Sequence, residues 1–193
     1  MQQMELDYSG ESGFTGIDFS GQTLERKEYE NCTFTSCVFT DAKLLDCRLE
    51  AVRFVSCNLS NTDFSNSRLT DIEFIDCKIV GLTLFKCKQT VFDLRFGKCI
   101  IEYCNFSDVS MKRCVFDSCD FRESWFQNTF LVESRFTGCV FSNTLFDKCN
   151  LQKASFLDAS GYVIDPRDCD IRKAEFSVPG VFGLLDVFGI TIK

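Results

Sequence analysis

The chain has 193 residues, a net charge of −7 and no histidine, and 45% of its residues are hydrophobic. No run of about twenty apolar residues occurs, which excludes a membrane-spanning helix on length. The negative charge disfavours direct binding to nucleic acid and suits a partner with a basic surface.

The first twelve residues are acidic and precede the regular part of the chain. They include Glu5, Asp7 and Glu11 and show no hydrophobic period. From residue 13 a repeat begins, and a repeat array needs its terminal units covered to stay soluble. We therefore predict that residues 1–12 form an N-terminal cap.

A large apolar residue stands at every fifth position from Phe14 to Leu84 and again from Val91 to Phe156. A period of five fits neither a helix, at 3.6, nor a strand, at 2, so each block of five must turn a corner and direct one side chain inward. The pattern predicts a solenoid over residues 13–160. At about 4.8 Å per layer, about seven coils would give a rod roughly 34 Å tall.

The five-residue period is interrupted in the middle of the chain, where two extra residues shift it. This slip lies near residues 88–90. We expect a bulge or corner loop there, with Val91 as the next inward centre. Four aromatic residues then fall outside the inward positions. They would form either a contact patch for a partner or packing contacts at the corners. They are Phe85, Phe92, Trp125 and Phe130.

All 13 cysteines occupy the same phase of the repeat, two places before the position of an inward centre. Their number is odd, their spacing follows multiples of five rather than CxxC pairs, and no signal-peptide pattern precedes them. This usage predicts reduced, buried thiols in a cytoplasmic protein, with no metal and no cofactor. Because no histidine, Gly-rich phosphate loop or GxSxG elbow is present, we expect no enzymatic activity.

Several blocks resemble the repeat of the pentapeptide-repeat family, A(D/N)LXX, with cysteine in the small position. Examples are Cys-Val-Phe-Thr-Asp at 37–41 and Cys-Asp-Phe-Arg-Glu at 119–123. The resemblance implies a right-handed quadrilateral β-helix in which residues twenty apart stack. In that register one face is all phenylalanine from Phe14 to Phe156, and another, from Tyr29 to Leu151, has none.

The segment 161–193 leaves the repeat and predicts a C-terminal cap and dimerisation module. Pro179 and Gly189 suggest the ends of a short helix over about 179–188, followed by a strand at 190–192. Its apolar side would pack either against a second copy or back on the last coil. The predicted dimer interface comprises Val181, Phe182, Leu184, Leu185, Val187, Phe188, Ile190 and Ile192.

This C-terminal segment is similar to that of the Qnr, MfpA and McbG-like proteins. The resemblance implies a DNA mimic that binds a type II topoisomerase, DNA gyrase or topoisomerase IV, and protects it from quinolones or toxins. The expected partners are gyrase and a second copy, without nucleic acid or membrane. The acidic candidates for contact are Asp71, Asp76, Asp93, Asp108, Asp117, Asp120 and Glu123. A generic pentapeptide-repeat scaffold with another protein partner is the alternative.

Overall fold

The computed structural model describes residues 12–191, which form a parallel β-solenoid with four sides. Each five-residue block makes one side, so residues twenty apart pair in register: Phe34 pairs with Phe54, and Leu49 with Leu69. We name the sides faces A to D in chain order, starting with the side that contains Phe14. This arrangement confirms the predicted quadrilateral β-helix. Its last rung lies at Glu175–Phe176, so it has about eight coils and extends past residue 160, instead of the predicted seven coils.

Short strands define the faces. Face A and the part of face D joined to it contain Gly13–Thr15, Glu28–Glu30, Thr33–Thr35, Arg48–Val55, Arg68–Ile75, Leu94–Gly97, Val115–Asp117, Arg135–Thr137, Ser155–Phe156 and Glu175–Phe176. Face B contains Asn58–Ser60, Lys78–Val80, Ile100–Glu102, Asp120–Arg122 and Val140–Ser142. Face C contains Thr23–Glu25 and Lys43–Leu45 in one sheet and Trp125–Gln127, Leu145–Asp147 and Val163–Ile164 in another.

The core of the rod is a set of stacked side-chain columns. On face A the column of phenylalanines runs from Phe14 through Phe156 to Phe176, with neighbouring ring centroids between 4.5 and 5.3 Å apart. The rings are nearly parallel, as for Phe116 and Phe136, whose planes differ by 3°. Each buried ring contributes about 1.5–3 kcal/mol of transfer free energy. The predicted all-phenylalanine face is thereby confirmed.

Corners are made by residues in the left-handed conformation, one after almost every centre. Asp41 (φ 56°), Asn61 (φ 55°) and Lys98 (φ 54°) are examples. Asn, Asp and Gly tolerate this region better than other residues, which explains why the repeat favours them two places after the centre. The side chain of each corner residue consequently projects away from the core.

The slip is more complex than the net gain of two residues indicated. Thr83 pairs with Asn105, 22 positions on; Val91 pairs with Ser110, 19 positions on; and by Arg95–Val115 the spacing has returned to 20. Three residues are thus inserted before Val91 and one is removed after it. A single 3₁₀ turn, Leu84–Lys86, lies in this stretch.

This register overturns two expectations about the slip. Val91 is 67% exposed and Phe92 is only 2% exposed, so Phe92 is the inward centre and not an outward aromatic. Face D therefore contains a phenylalanine after all. The Gln89 side chain satisfies the backbone of the coil above, because its Oε1 accepts from the Leu69 amide at 3.0 Å and its Nε2 donates to the Leu69 carbonyl.

After the last rung of the solenoid the chain forms two 3₁₀ turns and not the predicted single helix and strand. The turns span Gly180–Leu184 and Asp186–Phe188, and Gly189 ends the second in the left-handed conformation (φ 60°), as predicted for the helix end. Ile190 and Thr191 form no strand.

The predicted N-terminal cap, except Ser12, and Ile192 lie outside the described residues. Across residues 12–191, no helix has the length and apolarity needed to cross a bilayer.

Candidate interaction surface

The seven predicted acidic residues are distributed around the rod instead of forming one row. Four stand at four different corners: Asp71 between faces D and A, Asp76 between A and B, Glu123 between B and C, and Asp108 between C and D. The other three, Asp93, Asp117 and Asp120, lie on faces D, A and B. No single flat partner surface could contact all seven at once.

Two arginine side chains pair with three of these carboxylates. Asp71 accepts from Arg95 at 2.6 Å, and Asp93 lies 3.9 Å from the same guanidinium. Asp120 is paired with Arg122, two residues along the strand. Such exposed pairs add little to stability. Arg122 cancels the charge of Asp120 on face B, whereas Arg95 cancels only one of the two charges of Asp71 and Asp93.

The other four, Asp76, Asp108, Asp117 and Glu123, form no ion pair with any residue in 12–191. Asp108 accepts from Asn128 at 3.0 Å, and Glu123 accepts from Asn143 at 2.7 Å. Both asparagines are neutral donors that lie one coil below, so they orient the carboxylate without cancelling its charge.

The same arrangement of an acid above an asparagine occurs near the start of the rod, and the sequence analysis missed it. Asp41 accepts from Asn61 at 3.0 Å, and both residues are left-handed corners. The available signal was an acid and an asparagine twenty positions apart, each two places after a centre. Asp41, Glu123 and their asparagines share the B–C corner.

The predicted dimer residues form a partly exposed apolar surface at the C-terminal end. Phe182, Leu185, Phe188 and Ile190 are 36–57% exposed. Leu184 packs against the core, and Val181 and Val187 are half-buried. No residue of either 3₁₀ turn is fully buried. This end therefore presents apolar side chains that a second copy could cover.

A cavity of about 480 Å³ lies beside the contact between this segment and the last coil. It is lined by residues that include Asp158, Tyr162 and Asp186. Tyr162 is 1% exposed, and its hydroxyl has no hydrogen-bond partner in residues 12–191. Burial raises the pKa of Tyr162 to about 12. The hydroxyl is consequently neutral at physiological pH.

The cysteines are placed as predicted: all 13 are free and buried. Several donate to a backbone carbonyl of the coil above, as Cys57 does to Phe34 at 3.3 Å. Burial raises the pKa of Cys32 to about 11 and that of Cys87, Cys104 and Cys114 to about 12. Within residues 12–191, no three acidic or sulfur side chains are grouped so that they could hold a metal ion.

An apolar row on face C is a further surface feature. Trp125 pairs with Leu145 and Leu145 with Val163 on successive coils, and their side chains point outward with 39%, 47% and 44% exposure. Trp125 was predicted to lie outside, as were Phe85 and Phe130, and all three do. The row itself was not predicted, because Val163 is 18 residues after Leu145 instead of 20.

Comparisons with known proteins agree with this architecture. The family model described as "Pentapeptide repeat region" matches residues 10–84 and 109–178. No curated protein sequence gives a significant match to the chain. Among solved structures, a trypsin-treated variant of QnrB1, a plasmid-mediated fluoroquinolone resistance protein, is similar at a TM-score of 0.68 and 19% identity, covering 94% of this chain and 100% of that chain. Full-length QnrB1 is similar at a TM-score of 0.64 and 18% identity, covering 92% of this chain and 100% of that chain.

Proposed function

Because the chain belongs to the pentapeptide-repeat family, we propose that it binds a type II topoisomerase, chiefly DNA gyrase, as a mimic of DNA and modulates its inhibition by quinolones or toxins. The protein acts by binding and carries out no reaction of its own. The choice of partner is supported by the likeness to QnrB1, a fluoroquinolone resistance protein, over nearly the whole of both chains.

The observation that carries the proposal is the set of corner carboxylates without cations. Asp108 and Glu123 project from left-handed corners and are held by neutral asparagine side chains. A duplex carries about one negative charge per 1.7 Å of its axis, far more than this rod. Mimicry must therefore depend on where these few fixed charges lie, and a basic DNA-binding surface would meet them along the B–C and C–D corners.

Dimerisation through the C-terminal segment is part of the proposal. A symmetric dimer uses the same surface patch on both copies, so the exposed side chains of Phe182, Leu185 and Phe188 would cover one another. The two rods would then join end to end and double the length of charged surface.

Supercoiling by gyrase, with and without a quinolone, tests the proposal directly. Titrated protein is expected to inhibit supercoiling or to reduce drug-stabilised cleavage complexes at low micromolar concentration, about −8 kcal/mol of binding. The double variant Asp108→Asn with Glu123→Gln should weaken the effect about tenfold. Asp71→Asn with Asp120→Asn is the matched control, because these carboxylates are already paired with arginine.

The dimer is tested by Phe182→Asp with Leu185→Asp, measured by analytical ultracentrifugation and in the same gyrase assay. Loss of the dimer together with loss of the gyrase effect supports both parts. No effect of the unmodified protein on gyrase at any ratio would overturn the proposal in favour of a scaffold for another partner.

A further inference from the structure

Face C carries a second kind of binding surface, and we propose that it docks an amphipathic helix of a partner protein. The helix would lay an apolar stripe on Trp125, Leu145 and Val163 and direct lysine or arginine side chains to the acidic residues beside them. This surface goes beyond the charge mimicry proposed above, because its contacts are mainly apolar.

The three side chains form a continuous row and not a scattered set. Trp125, Leu145 and Val163 lie on paired strands of one three-stranded sheet, one residue per coil. A groove of about 500 Å³ opens beside Leu145 and Val163, where the chain has Gly161 at the B–C corner. An exposed Phe130 on face D offers the contrast, since its neighbours in the coils above and below are Ser110 and Asn150.

The spacing of the row matches a helix lying along the rod axis. Coils are about 4.8 Å apart, and one helical turn rises about 5.4 Å, so side chains at i, i+3 or i+4, and i+7 would meet successive coils. An added strand would not fit. The backbone groups of the strands that carry Trp125 and Leu145 are already paired with the coils above and below, as Trp125 is with Asn105 and Leu145. Along these two coils only side chains face outward. A helix satisfies its own backbone and presents side chains alone.

The charges beside the row specify the flank of the helix. Glu123 stands at the B–C corner before Trp125, and Asp147 follows Leu145 on its strand. Neither forms an ion pair within residues 12–191; Asp147 accepts from the neutral Gln127 at 2.7 Å. A stripe flanked by basic residues would place cations against both carboxylates, whereas an acidic helix would be repelled.

Trp125 is the only tryptophan of the chain, so its fluorescence reports directly on the row. The probe is a synthetic leucine–lysine peptide of about fourteen residues, four helical turns with one apolar face. A scrambled leucine–lysine peptide and a leucine–glutamate peptide of the same pattern serve as controls. We expect a saturable blue shift with the patterned basic peptide and about tenfold weaker binding, 1.4 kcal/mol, with either control.

Two protein variants locate the site. Leu145→Ser should weaken binding of the patterned peptide about tenfold, whereas Phe130→Ser on face D should leave it unchanged. Both positions are about half exposed, so the melting temperature should stay near that of the unmodified protein, and circular dichroism checks this.

The inference would be overturned by the absence of a saturable shift, by equal binding of the scrambled or the leucine–glutamate peptide, or by an equal loss in Phe130→Ser. A blue shift that rises with protein concentration in the absence of peptide, and that is lost in Leu145→Ser, would show that the row binds a second copy of the chain. That result would also overturn the inference. The peptide-binding assay contains no topoisomerase, so a negative result in it would not change the interpretation of the gyrase assay.

Discussion

The solenoid and the C-terminal segment are stabilised in different ways. In the solenoid each backbone segment is paired with the coils on either side, and every inward centre is buried between two others, as Phe74 is between Phe54 and Phe96. In residues 180–189 the hydrogen bonds join near neighbours, such as Leu185 to Phe182 at 2.8 Å. This segment approaches the last coil most closely at two glycines, which have no side chain.

Two glycines make that contact possible. A Cβ on Gly183 would lie 2.2 Å from the Tyr162 carbonyl oxygen, and one on Gly180 would lie 2.6 Å from that of Ala159. The difference between the regions shows that a repeat distributes its stability over many equivalent neighbours. A terminal segment relies on a few particular residues. Substitutions in the two regions should therefore have effects of different size and range.

The largest expected effect is at the centre of the phenylalanine column. Phe74→Ala removes a buried ring between two others and should lower the free energy of unfolding by about 3–5 kcal/mol. Urea denaturation measures it. Phe85→Ala, at a side chain 53% exposed, is the control and should change stability by less than about 0.5 kcal/mol. Equal stability of the two variants would contradict the column as the source of stability.

Alkaline pH should also act on the solenoid and not on residues 180–189, which contain no cysteine. The folded pKa of Cys87, Cys104 and Cys114 is about 12, above the ordinary value of 9.0. The unfolded chain therefore releases these protons first. The contribution is complete below pH 9 and is lost as pH rises toward 12, by about 1.4 kcal/mol per pH unit for each thiol.

Urea titrations from pH 7 to 10.5 measure this loss. Stability that is level across the range would contradict the buried placement of the thiols. A thiol-labelling time course at pH 8 gives an independent check, since native thiols should react far more slowly than those of the protein in urea.

A corner substitution should have an intermediate effect. Lys98 is exposed and left-handed, with φ 54°. Lys98→Val places a β-branched residue in that conformation and should cost about 1–2 kcal/mol. Lys98→Asn keeps a tolerant residue and should be neutral in thermal unfolding. If both substitutions cost the same, the loss would come from the lysine side chain and not from the corner.

The smallest global effect is expected at Gly183. Gly183→Ala should detach the 3₁₀ turns from Tyr162, yet lower the unfolding free energy by no more than about 1 kcal/mol, because no residue of the turns is itself fully buried. Hydrogen exchange should accelerate for amides 181–189 alone. Gly189→Asn is the control, since φ is 60° and nothing lies within 4 Å of its Cβ position. Faster exchange throughout the coils would contradict separate stability.

The regular part of the fold could be predicted because one inward side chain per five residues is a direct consequence of the corner geometry. The slip could not, because an insertion of three and a removal of one leave the same net count as a simple insertion of two. The prediction therefore placed Val91 inside and Phe92 outside, which is the reverse of their positions in the structure. The helix over 179–188 was wrong in type, since terminal apolar residues and glycines fit 3₁₀ turns equally well.

The candidate site was predictable only in part. The outward position of Trp125 follows from the period, whereas its row depends on an 18-residue spacing to Val163 in the last coils. The neutralisation of Asp71 by Arg95, 24 residues away, depends on the slip. Charge pairing across coils requires the register on both sides of an irregularity, and composition does not contain that information.

The four-sided coil also limits how such a chain can change in length. Adding or deleting five residues would keep every later centre inward, yet it would turn the rest of the rod by a quarter turn relative to what precedes it. Adding or deleting twenty would leave the faces aligned. In this chain the two extra residues are absorbed between Leu84 and Phe96, and Phe96 still stacks on Phe74 at 4.9 Å. Lineages that keep a surface spanning several coils should therefore gain or lose whole coils, while those that lose the partner should tolerate single blocks.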